Sequence, residues 1–296
     1  MSGVRTIETV AEMHRVADGM RASGQRIGLV PTMGALHEGH LGLIRQAARA
    51  SDQVVVSIFV NPVQFGPRED FATYPRDLGR DLEQVSAAGG SLVFTPAADE
   101  MYPEGYATYV SVDRLGEYLC GPRRPGHFRG VATVVTKLLA AVKPHVAVFG
   151  RKDAQQAGLI QRLVQDLHLD VEILLAPTVR EPDGLAMSSR NARLSALQRR
   201  EAAVLYHALQ EAKALARAGK GATGELLATV SRRIEGVSSA RLEYAEAVDA
   251  EDFQPVQDLS DATVLAVAAR FGETRLIDNV VLRPCPPQDP GTTHTP

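Results

Sequence analysis

Two histidines, His37 and His40, lie three residues apart where an apolar run ends and a helical pattern begins. The start of a helix offers unpaired backbone N–H groups and the positive end of the helix dipole, and both favour an anion. One helical turn brings the two rings to the same side, and Gly39 lets a ligand approach the backbone. Such imidazoles could stabilise phosphate charge as it shifts toward a departing pyrophosphate.

The same pair allows two plainer interpretations. His37 and His40 could be surface or capping residues, because short motifs often occur by chance. An HxxH pair on a helix can also bind zinc, but zinc needs a third ligand at an expected spacing, and the sequence contains no HExxH. The position between a strand, a glycine and a helix favours the phosphate interpretation.

A second group, Ser188, Ser189 and Arg190, follows the last strand of the predicted sheet. Two hydroxyls and a guanidinium on successive residues could clamp a triphosphate, with the arginine neutralising phosphoryl charge. Serines that precede a helix are also common as N-caps, so capping is the alternative.

Polar residues also follow two other predicted strands. Lys152, Asp153 and Gln156 come after one of them, where the lysine could pair with a phosphate and the glutamine could bind a polar substrate. Asn61 and Gln64 come after another, among apolar neighbours, as in small-molecule pockets. A solvated charged turn and a simple Asn-Pro turn are the alternatives.

The segment around Arg124 and His127 concentrates positive charge before a predicted helix and could attract a carboxylate or a phosphate. A solvated basic loop is the alternative. The sequence from Gly219 to Gly224 matches GxGxxG by spacing, but it follows a helix, so we interpret it as a linker between helices.

Buried strands that alternate with helices must position these groups. The predicted strands cover 26–34, 53–60, 91–94, 145–150 and 171–176, and the predicted helices cover 6–23, 40–51, 75–88, 131–142 and 154–167. This alternation predicts an α/β fold, a Rossmann-like parallel sheet with helices on both faces. Long loops at 61–74 and 95–130 are expected to shape the site at the carboxyl ends of the strands.

The pattern changes after residue 178. Helices at 196–218 and 224–234 precede strands at 241–248, 262–270 and 274–282, which predicts a smaller C-terminal α+β domain. We therefore expect a Rossmann-like nucleotide- and substrate-binding domain at 1–178, a lid domain at 179–285 and a disordered tail at 286–296.

Composition limits the possible partners. The 296 residues carry a net charge of -3, aromatic residues make up 5% and tryptophan is absent, which disfavours nucleic-acid binding. No apolar run is long enough to span a bilayer and the N-terminus lacks a signal core, so we expect a cytoplasmic protein without membrane contact. Cys120 and Cys285 form no CxxC motif and indicate neither a zinc site nor a disulfide framework.

Five stretches together resemble the pantothenate synthetases, which are pantoate–β-alanine ligases of the HxGH nucleotidylyltransferase superfamily. They are VPTMGALHEGH, SIFVNPVQF, RPGHFRGV, GRKDAQQ and PTVREPDGLAMSSRN. The resemblance covers about residues 4–283, and long motifs in this order are highly specific. It implies an ATP-dependent condensation of pantoate with β-alanine through a pantoyl adenylate, which releases AMP and pyrophosphate.

The resemblance also implies roles for individual residues. Catalytic roles fall on His40, as proton donor, and on His37, Lys152, Ser188, Ser189 and Arg190. ATP contacts fall on these residues and on Met33, Gly34, Ala35, Leu36, Glu38, Gly39, Gly150, Arg151, Asp153, Val179 and Met187. Substrate contacts fall on Gln64, Gln156, Asn61, His127, Arg124 and Tyr74. Magnesium with ATP, a contact from Asp81 to the metal, and a homodimer are implied as well.

The sequence departs from the family pattern at Arg151, Ala154, Cys120 and Arg80. Arg80 stands where an acidic residue commonly precedes Asp81, which puts a metal contact there in doubt. Two other functions are the alternatives, and the first of them shares the HxGH chemistry. A nucleotidylyltransferase would join a nucleotide to a phosphate acceptor without an amine, and an inert ATP-binding protein would bind the nucleotide without turnover.

Overall fold

The computed structural model describes residues 4–67, 69–259 and 262–282, so the predicted tail and Cys285 lie outside the described residues. The chain divides into two compact units, Met1–Ser195 and Ala196–Pro296. This division falls later than the predicted boundary after residue 178. The segment after 178 stays with the first unit because Arg190 and Arg193 both pair with Asp70.

The first unit is built on a six-stranded sheet in the order β1-β4-β3-β2-β5-β6, and every neighbouring pair is parallel. Its strands are β1 (Arg5–Ile7), β2 (Ile27–Thr32), β3 (Gln53–Ile58), β4 (Leu92–Phe94), β5 (Val146–Gly150) and β6 (Glu172–Ala176). The inner strands are almost wholly buried, as expected for a sheet that helices cover on both faces. The predicted fold class is confirmed.

The part of this unit that the structure describes has six α-helices: α1 (Val10–Ala22), α2 (Glu38–Ala50), α3 (Leu78–Ala87), α4 (Ala98–Met101), α5 (His127–Val142) and α6 (Ala154–Asp166). Helix α2 packs on β2, β3 and β5 and contacts α3, whereas α5 packs on β2 and contacts α1 and α6. Apolar residues such as Val30, Ile44 and Val148 join α2 to the sheet. Helix α5 is buried along most of its length because its sequence is apolar almost all round.

The predicted helix at 6–23 begins too early. Arg5–Ile7 instead forms β1 beside β4, and the Thr9 side chain accepts a hydrogen bond from Glu12 N and starts α1. A three-residue strand is too short to show its period, so the helical pattern that follows it dominated the prediction.

The order of the strands determines where a ligand site can form. After β2 the chain passes outward to β3 and β4, and then returns to place β5 on the other side of β2. The carboxyl ends of β2 and β5 therefore lie side by side where the direction of winding reverses. Ligands of open α/β sheets bind at this switch point.

Within its described residues, the second unit contains an antiparallel sheet in the order β7-β8-β9 and three α-helices. The elements are α7 (Ala196–Glu201), α8 (Val204–Arg217), α9 (Thr223–Glu235), β7 (Ala240–Asp249), β8 (Thr263–Phe271) and β9 (Thr274–Leu282). The predicted helix at 196–218 is interrupted at Ala202 and Ala203, which no sequence signal marks. Residues 218–222 connect α8 to α9, so most of the predicted linker at 219–224 lies in this connection, while Thr223 and Gly224 already belong to α9. None of the helices in the described ranges is long and apolar enough to cross a membrane.

Candidate active site

His37 and His40 form the start of α2. His37 is the N-cap in an extended conformation, and its Nδ1 accepts from Gly39 N at 3.2 Å. The Nδ1 of His40 accepts from His37 N at 3.4 Å. Each ring thus uses Nδ1 as an acceptor, which assigns the proton of the neutral imidazole to Nε2. The capping interpretation and the ligand interpretation are therefore compatible, because one ring nitrogen caps and the other is available.

Both rings are held neutral. Burial, together with the charge of Lys152, lowers the pKa of His37 to about 4. Burial, the neighbouring His37 and Lys152 lower the pKa of His40 to about 3. The ring centroids lie 4.1 Å apart, so a charge on one ring would oppose a charge on the other. Near neutral pH the pair therefore offers N–H donors without carrying charge.

The glycine between the histidines makes room for one of them. A Cβ placed on Gly39 would lie 2.8 Å from His37 Cε1, closer than side-chain atoms approach one another. The sequence suggested that this glycine admits a ligand to the backbone. In the structure its first consequence is that the His37 ring can fold back over the helix start.

Asp81 holds the loop that precedes α2. Its Oδ2 accepts from Ala35 N at 2.9 Å and its Oδ1 accepts from Leu36 N at 2.8 Å. Gly34 before them has a φ of +78°, and a Cβ there would lie 2.8 Å from Asp81 Oδ2. Burial raises the pKa of Asp81 against the pull of these N–H groups.

The predicted contact between Asp81 and magnesium gains no support from this geometry. The side chain is 2% exposed, lies outside the pocket lining and has both oxygens engaged with backbone N–H groups. A carboxylate in this position sets the shape of the β2–α2 loop instead.

The carboxyl end of β5 carries the second group. After Gly150 a 3-10 turn spans Arg151–Asp153, and α6 begins at Ala154. Lys152 lines the pocket next to Asp153, with Nζ 3.9 Å from Asp153 Oδ2. Arg151 is exposed and does not line the pocket.

Gln155 and Gln156 are neighbours on α6 with different surroundings. Gln156 lines the pocket. Gln155 is 5% exposed, donates through Nε2 to the carbonyl oxygens of Leu115 and Tyr118, and accepts from Cys120 N. The buried glutamine therefore anchors the long loop between α4 and α5, while its neighbour faces the site.

The Ser188–Arg190 segment forms the third side. Ser188 Oγ accepts from Arg190 N and caps a 3-10 turn that spans Ser189–Arg193. Ser189 Oγ lies 3.5 Å from the hydroxyl of Tyr74, whose pKa burial raises. Arg190 forks onto Asp70, with both N–O distances at 3.0 Å. The capping role proposed for a serine is present at Ser188, beside the pocket.

Arg124 and His127 support Gln64. Arg124 donates from Nε and Nη2 to Glu69, and from Nη1 to His127 Nε2 at 2.8 Å. His127 Nδ1 in turn donates to Gln64 O at 2.9 Å. Burial and the Arg124 charge lower the pKa of His127 to about 4, so the ring is neutral. Arg124 lines the pocket, but its charge is already matched by Glu69.

Asn61 lies behind the pocket. It is 1% exposed, its Nδ2 donates to Gln64 Oε1 and to Gly130 O, and its Oδ1 accepts from Tyr102. The Gln64 amide continues this network by donating to Met33 Sδ at 3.2 Å. Asn61 therefore positions Gln64. The predicted contact between Asn61 and a substrate gains no support, because Asn61 does not line the pocket.

One pocket collects most of the residues that the sequence indicated. The predicted residues that line it are Met33, His37, Gly39, His40, Gln64, Tyr74, Arg124, His127, Gly150, Lys152, Asp153, Gln156, Val179, Met187, Ser188, Ser189 and Arg190. The predicted residues outside the lining are Gly34, Ala35, Leu36, Glu38, Arg151, Asn61 and Asp81. Most of the residues outside the lining instead shape the backbone that carries the lining residues.

Sequence reasoning missed two features of the pocket. One is an apolar wall formed by Phe59, Val131, Val134, Val135, Leu138 and Phe149. The continuous apolar run of α5 could have indicated it, because such a helix must be covered on several sides. The other is the pair Glu69 and Asp70, whose partners are two arginines distant in sequence; local pattern carries no signal of that pairing.

Comparisons with known proteins agree over nearly the whole chain. The family model of pantoate-beta-alanine ligase matches residues 5–281. The pantothenate synthetase of Acetivibrio thermocellus is 49% identical and covers 94% of this chain and 99% of its own. That of Myxococcus xanthus is 53% identical and covers 93% of this chain and 95% of its own.

Solved structures give the same result. The crystal structure of pantothenate synthetase from Thermus thermophilus has a TM-score of 0.89 and 46% identity, with 95% of this chain and 100% of that one covered. The pantoate-beta-alanine ligase of Francisella tularensis, complexed with beta-gamma ATP and β-alanine, has a TM-score of 0.78 and 34% identity over 94% and 97%. The chain belongs to the pantoate–β-alanine ligase family, whose members condense pantoate with β-alanine at the expense of ATP.

Proposed function

We propose that the pocket of the first unit carries out this condensation in two steps, through an enzyme-bound pantoyl adenylate. The observation that carries the proposal is the convergence of His37, His40, Lys152 and Arg190 on one pocket. Cationic and N–H donors on one side and an apolar wall on the other suit a triphosphate beside a small branched acid.

In the first step a carboxylate oxygen of pantoate attacks the α-phosphorus of ATP, and the bond to the bridging oxygen of pyrophosphate breaks. Lys152 and Arg190 neutralise the charge that moves to the leaving group, while His37 and His40 donate from Nε2. Ser188 and Ser189 position the phosphates. Because both imidazoles are neutral in the free protein, we propose that they act first as hydrogen-bond donors, and that His40 transfers a proton only if bound phosphate raises its pKa.

In the second step the neutral amine of β-alanine attacks the acyl carbon, AMP leaves with the electron pair of the broken C–O bond, and the amine loses a proton. Gln64 and Gln156 hold the pantoyl group, and Gln64 also borders the amine. Water must be excluded, because it would hydrolyse the mixed anhydride. The apolar wall serves that purpose on the α5 side.

We propose that magnesium enters with ATP. Among the described residues no group of three or more His, Cys, Asp or Glu side chains could cage a metal, but Mg²⁺ commonly binds one carboxylate together with substrate phosphates. Asp153 lines the pocket and would be that carboxylate. When bound, the ion supplies positive charge to the phosphates.

We also propose that the protein acts as a homodimer, as the resemblance to the family implies. Sedimentation equilibrium at micromolar protein would test this, because a monomer and a dimer of a 31.8 kDa chain differ twofold in mass. A mass equal to that of the single chain over this range would contradict the proposal.

The activity is tested by incubating the protein with ATP, Mg²⁺ and pantoate, with and without β-alanine. We expect pyrophosphate in a single turnover without β-alanine, and stoichiometric AMP, pyrophosphate and pantothenate when both acids are present. A stable nucleotidylated product would favour a nucleotidylyltransferase, and binding without turnover would favour an inert ATP-binding protein. Either result would contradict the proposal.

A further inference from the structure

Glu69 and Asp70 are consecutive carboxylates on the loop after β3, and each forks onto a different arginine of the pocket. We propose that both are positioning residues with separate tasks, which rests on the proposed function. Asp70 orients Arg190 for the triphosphate. Glu69 fixes Gln64 for the organic substrates, through Arg124 and His127.

The geometry at Asp70 supports orientation. Its two oxygens accept from Nε and Nη2 of Arg190, and a two-point contact of this kind fixes the plane of a guanidinium. Among the described residues, Nη1 of Arg190 has no protein acceptor, so this nitrogen is left for a ligand. Ser189, next in the chain, contacts Tyr74 on the same loop as Asp70.

The charge at Asp70 supports the same assignment. Arg193 also donates to Asp70, at 2.7 Å, and to the backbone oxygen of Thr73. Burial opposes ionisation of Asp70, but the hydrogen bonds and charges of Arg190 and Arg193 keep its pKa below the usual value. Arg190 therefore meets an ionised carboxylate, which fixes the guanidinium in place.

The geometry at Glu69 supports a different role, in positioning Gln64. The Glu69–Arg124 pair is neutral in sum, and all three guanidinium nitrogens of Arg124 are engaged by Glu69 and His127. The chain of hydrogen bonds ends on the backbone of Gln64. A Cβ at Gly130 would lie 2.7 Å from Gln64 Cα, so α5 and Gln64 are in close contact. A shift of His127 on α5 would therefore also move Gln64.

A double-mutant cycle tests the task of Asp70. In single turnovers at saturating ATP, we expect Asp70→Asn to slow pantoate-dependent pyrophosphate release about tenfold or more, by misaligning Arg190. In an Arg190→Ala background the same change should cost less than about twofold, because its target is gone. Asp70→Glu should recover part of the rate. An equal loss in both backgrounds, or no loss at all, would overturn the assignment.

Arg193→Ala is the matched control, because Arg193 shares Asp70 but does not line the pocket. We expect its turnover rate to stay within about twofold of wild type even if its melting temperature falls. If Arg193→Ala reproduces the rate of Asp70→Asn, the ion-pair cluster is only structural.

Glu69→Gln tests the other task. We expect KM for pantoate to rise about tenfold while the saturated rate of pyrophosphate release and the affinity for ATP change by less than about threefold. A lower saturated rate, or weaker ATP binding, would contradict separate tasks. If wild-type protein releases no pyrophosphate, the proposed function itself fails and this inference falls with it; if only the variants behave otherwise, the function stands and the inference alone fails.

Discussion

In His37 and His40 one ring nitrogen caps the helix and the other is available to a ligand. In each ring Nδ1 accepts a backbone N–H at the start of α2, and Nε2 remains for a ligand. Burial keeps both rings neutral, with pKa values of about 4 and about 3. A neutral donor costs less to hold beside Lys152 than an imidazolium would, and it still stabilises developing phosphate charge.

We expect His40→Ala and Lys152→Ala each to lower the rate of adenylate formation about 100-fold or more, because each removes a preorganised donor. Single-turnover pyrophosphate release measures this. His207, which is exposed in the second unit, supplies the control His207→Ala. Rates close to wild type in the site variants would show that the assigned roles are wrong.

At the residue scale the sequence indicated which side chains meet, but not what each one does. The histidine pair, Lys152 and the Ser-Ser-Arg group all line the pocket, because each lies in a segment that follows the carboxyl end of a strand of the parallel sheet. Asn61 and Asp81 have the same polar character, yet they bond to the amide of Gln64 and to backbone N–H groups. Whether a polar residue contacts a substrate or supports a neighbouring residue depends on the direction of its side chain. Composition and spacing do not reveal that direction.

At the scale of the elements, loops are fixed by single buried polar side chains. Asp81 on α3 holds the β2–α2 loop, and Gln155 on α6 holds the α4–α5 loop. Each satisfies backbone groups that the loops could not pair among themselves. Loss of such a side chain therefore leaves several backbone groups unpaired at once.

We expect Asp81→Asn to lower the free energy of unfolding by about 1–3 kcal/mol, because an amide can replace only one of the two accepting oxygens. The Mg²⁺ concentration for half-maximal activity should not change. Urea unfolding and a magnesium titration measure the two quantities. A large rise in the magnesium requirement with unchanged stability would restore Asp81 as a metal contact.

Gln155 and Gln156 offer a paired comparison. Gln155→Leu should destabilise the protein by about 2–4 kcal/mol and expose the α4–α5 loop to protease, because three backbone groups lose their partner. Gln156→Leu should raise KM for pantoate with little effect on stability, since this side chain faces the pocket. Interchanged phenotypes would contradict the assignment.

The elements themselves were largely predictable. Strands at the centre of the sheet and helices such as α6 lie close to their predicted bounds, because burial produces a strong periodic pattern in the sequence. The exceptions are β1, which is too short to show a period, and the break between α7 and α8, where two alanines with high helix propensity are not helical.

At the scale of the whole molecule, three histidines that stay neutral in the folded state link stability to pH. His37, His40 and His127 have pKa values of about 4, 3 and 4 when folded, against a usual value of about 6.5 when unfolded. Below pH ~6.5 the unfolded chain binds protons that the folded chain does not, so stability falls as pH falls toward 4.

We expect the unfolding temperature of the free protein to drop by about 5 °C or more between pH 7 and pH 5. His127→Gln should flatten this dependence, because an amide can donate to Gln64 O and accept from Arg124 without titrating. His207→Gln, at an exposed position, is the matched control. Scanning calorimetry across the pH range gives the slopes, and equal slopes in all three proteins would contradict the expectation.

The cap formed by the two rings has one more consequence. The lone pair that would take up an extra proton on either imidazole is the same one that receives the N–H at the head of α2. Acid therefore cannot switch these rings into stronger proton donors without loosening the turn that aims them. The two rings therefore work uncharged, and protonation near or below pH 4 should weaken the same turn of α2 that positions them.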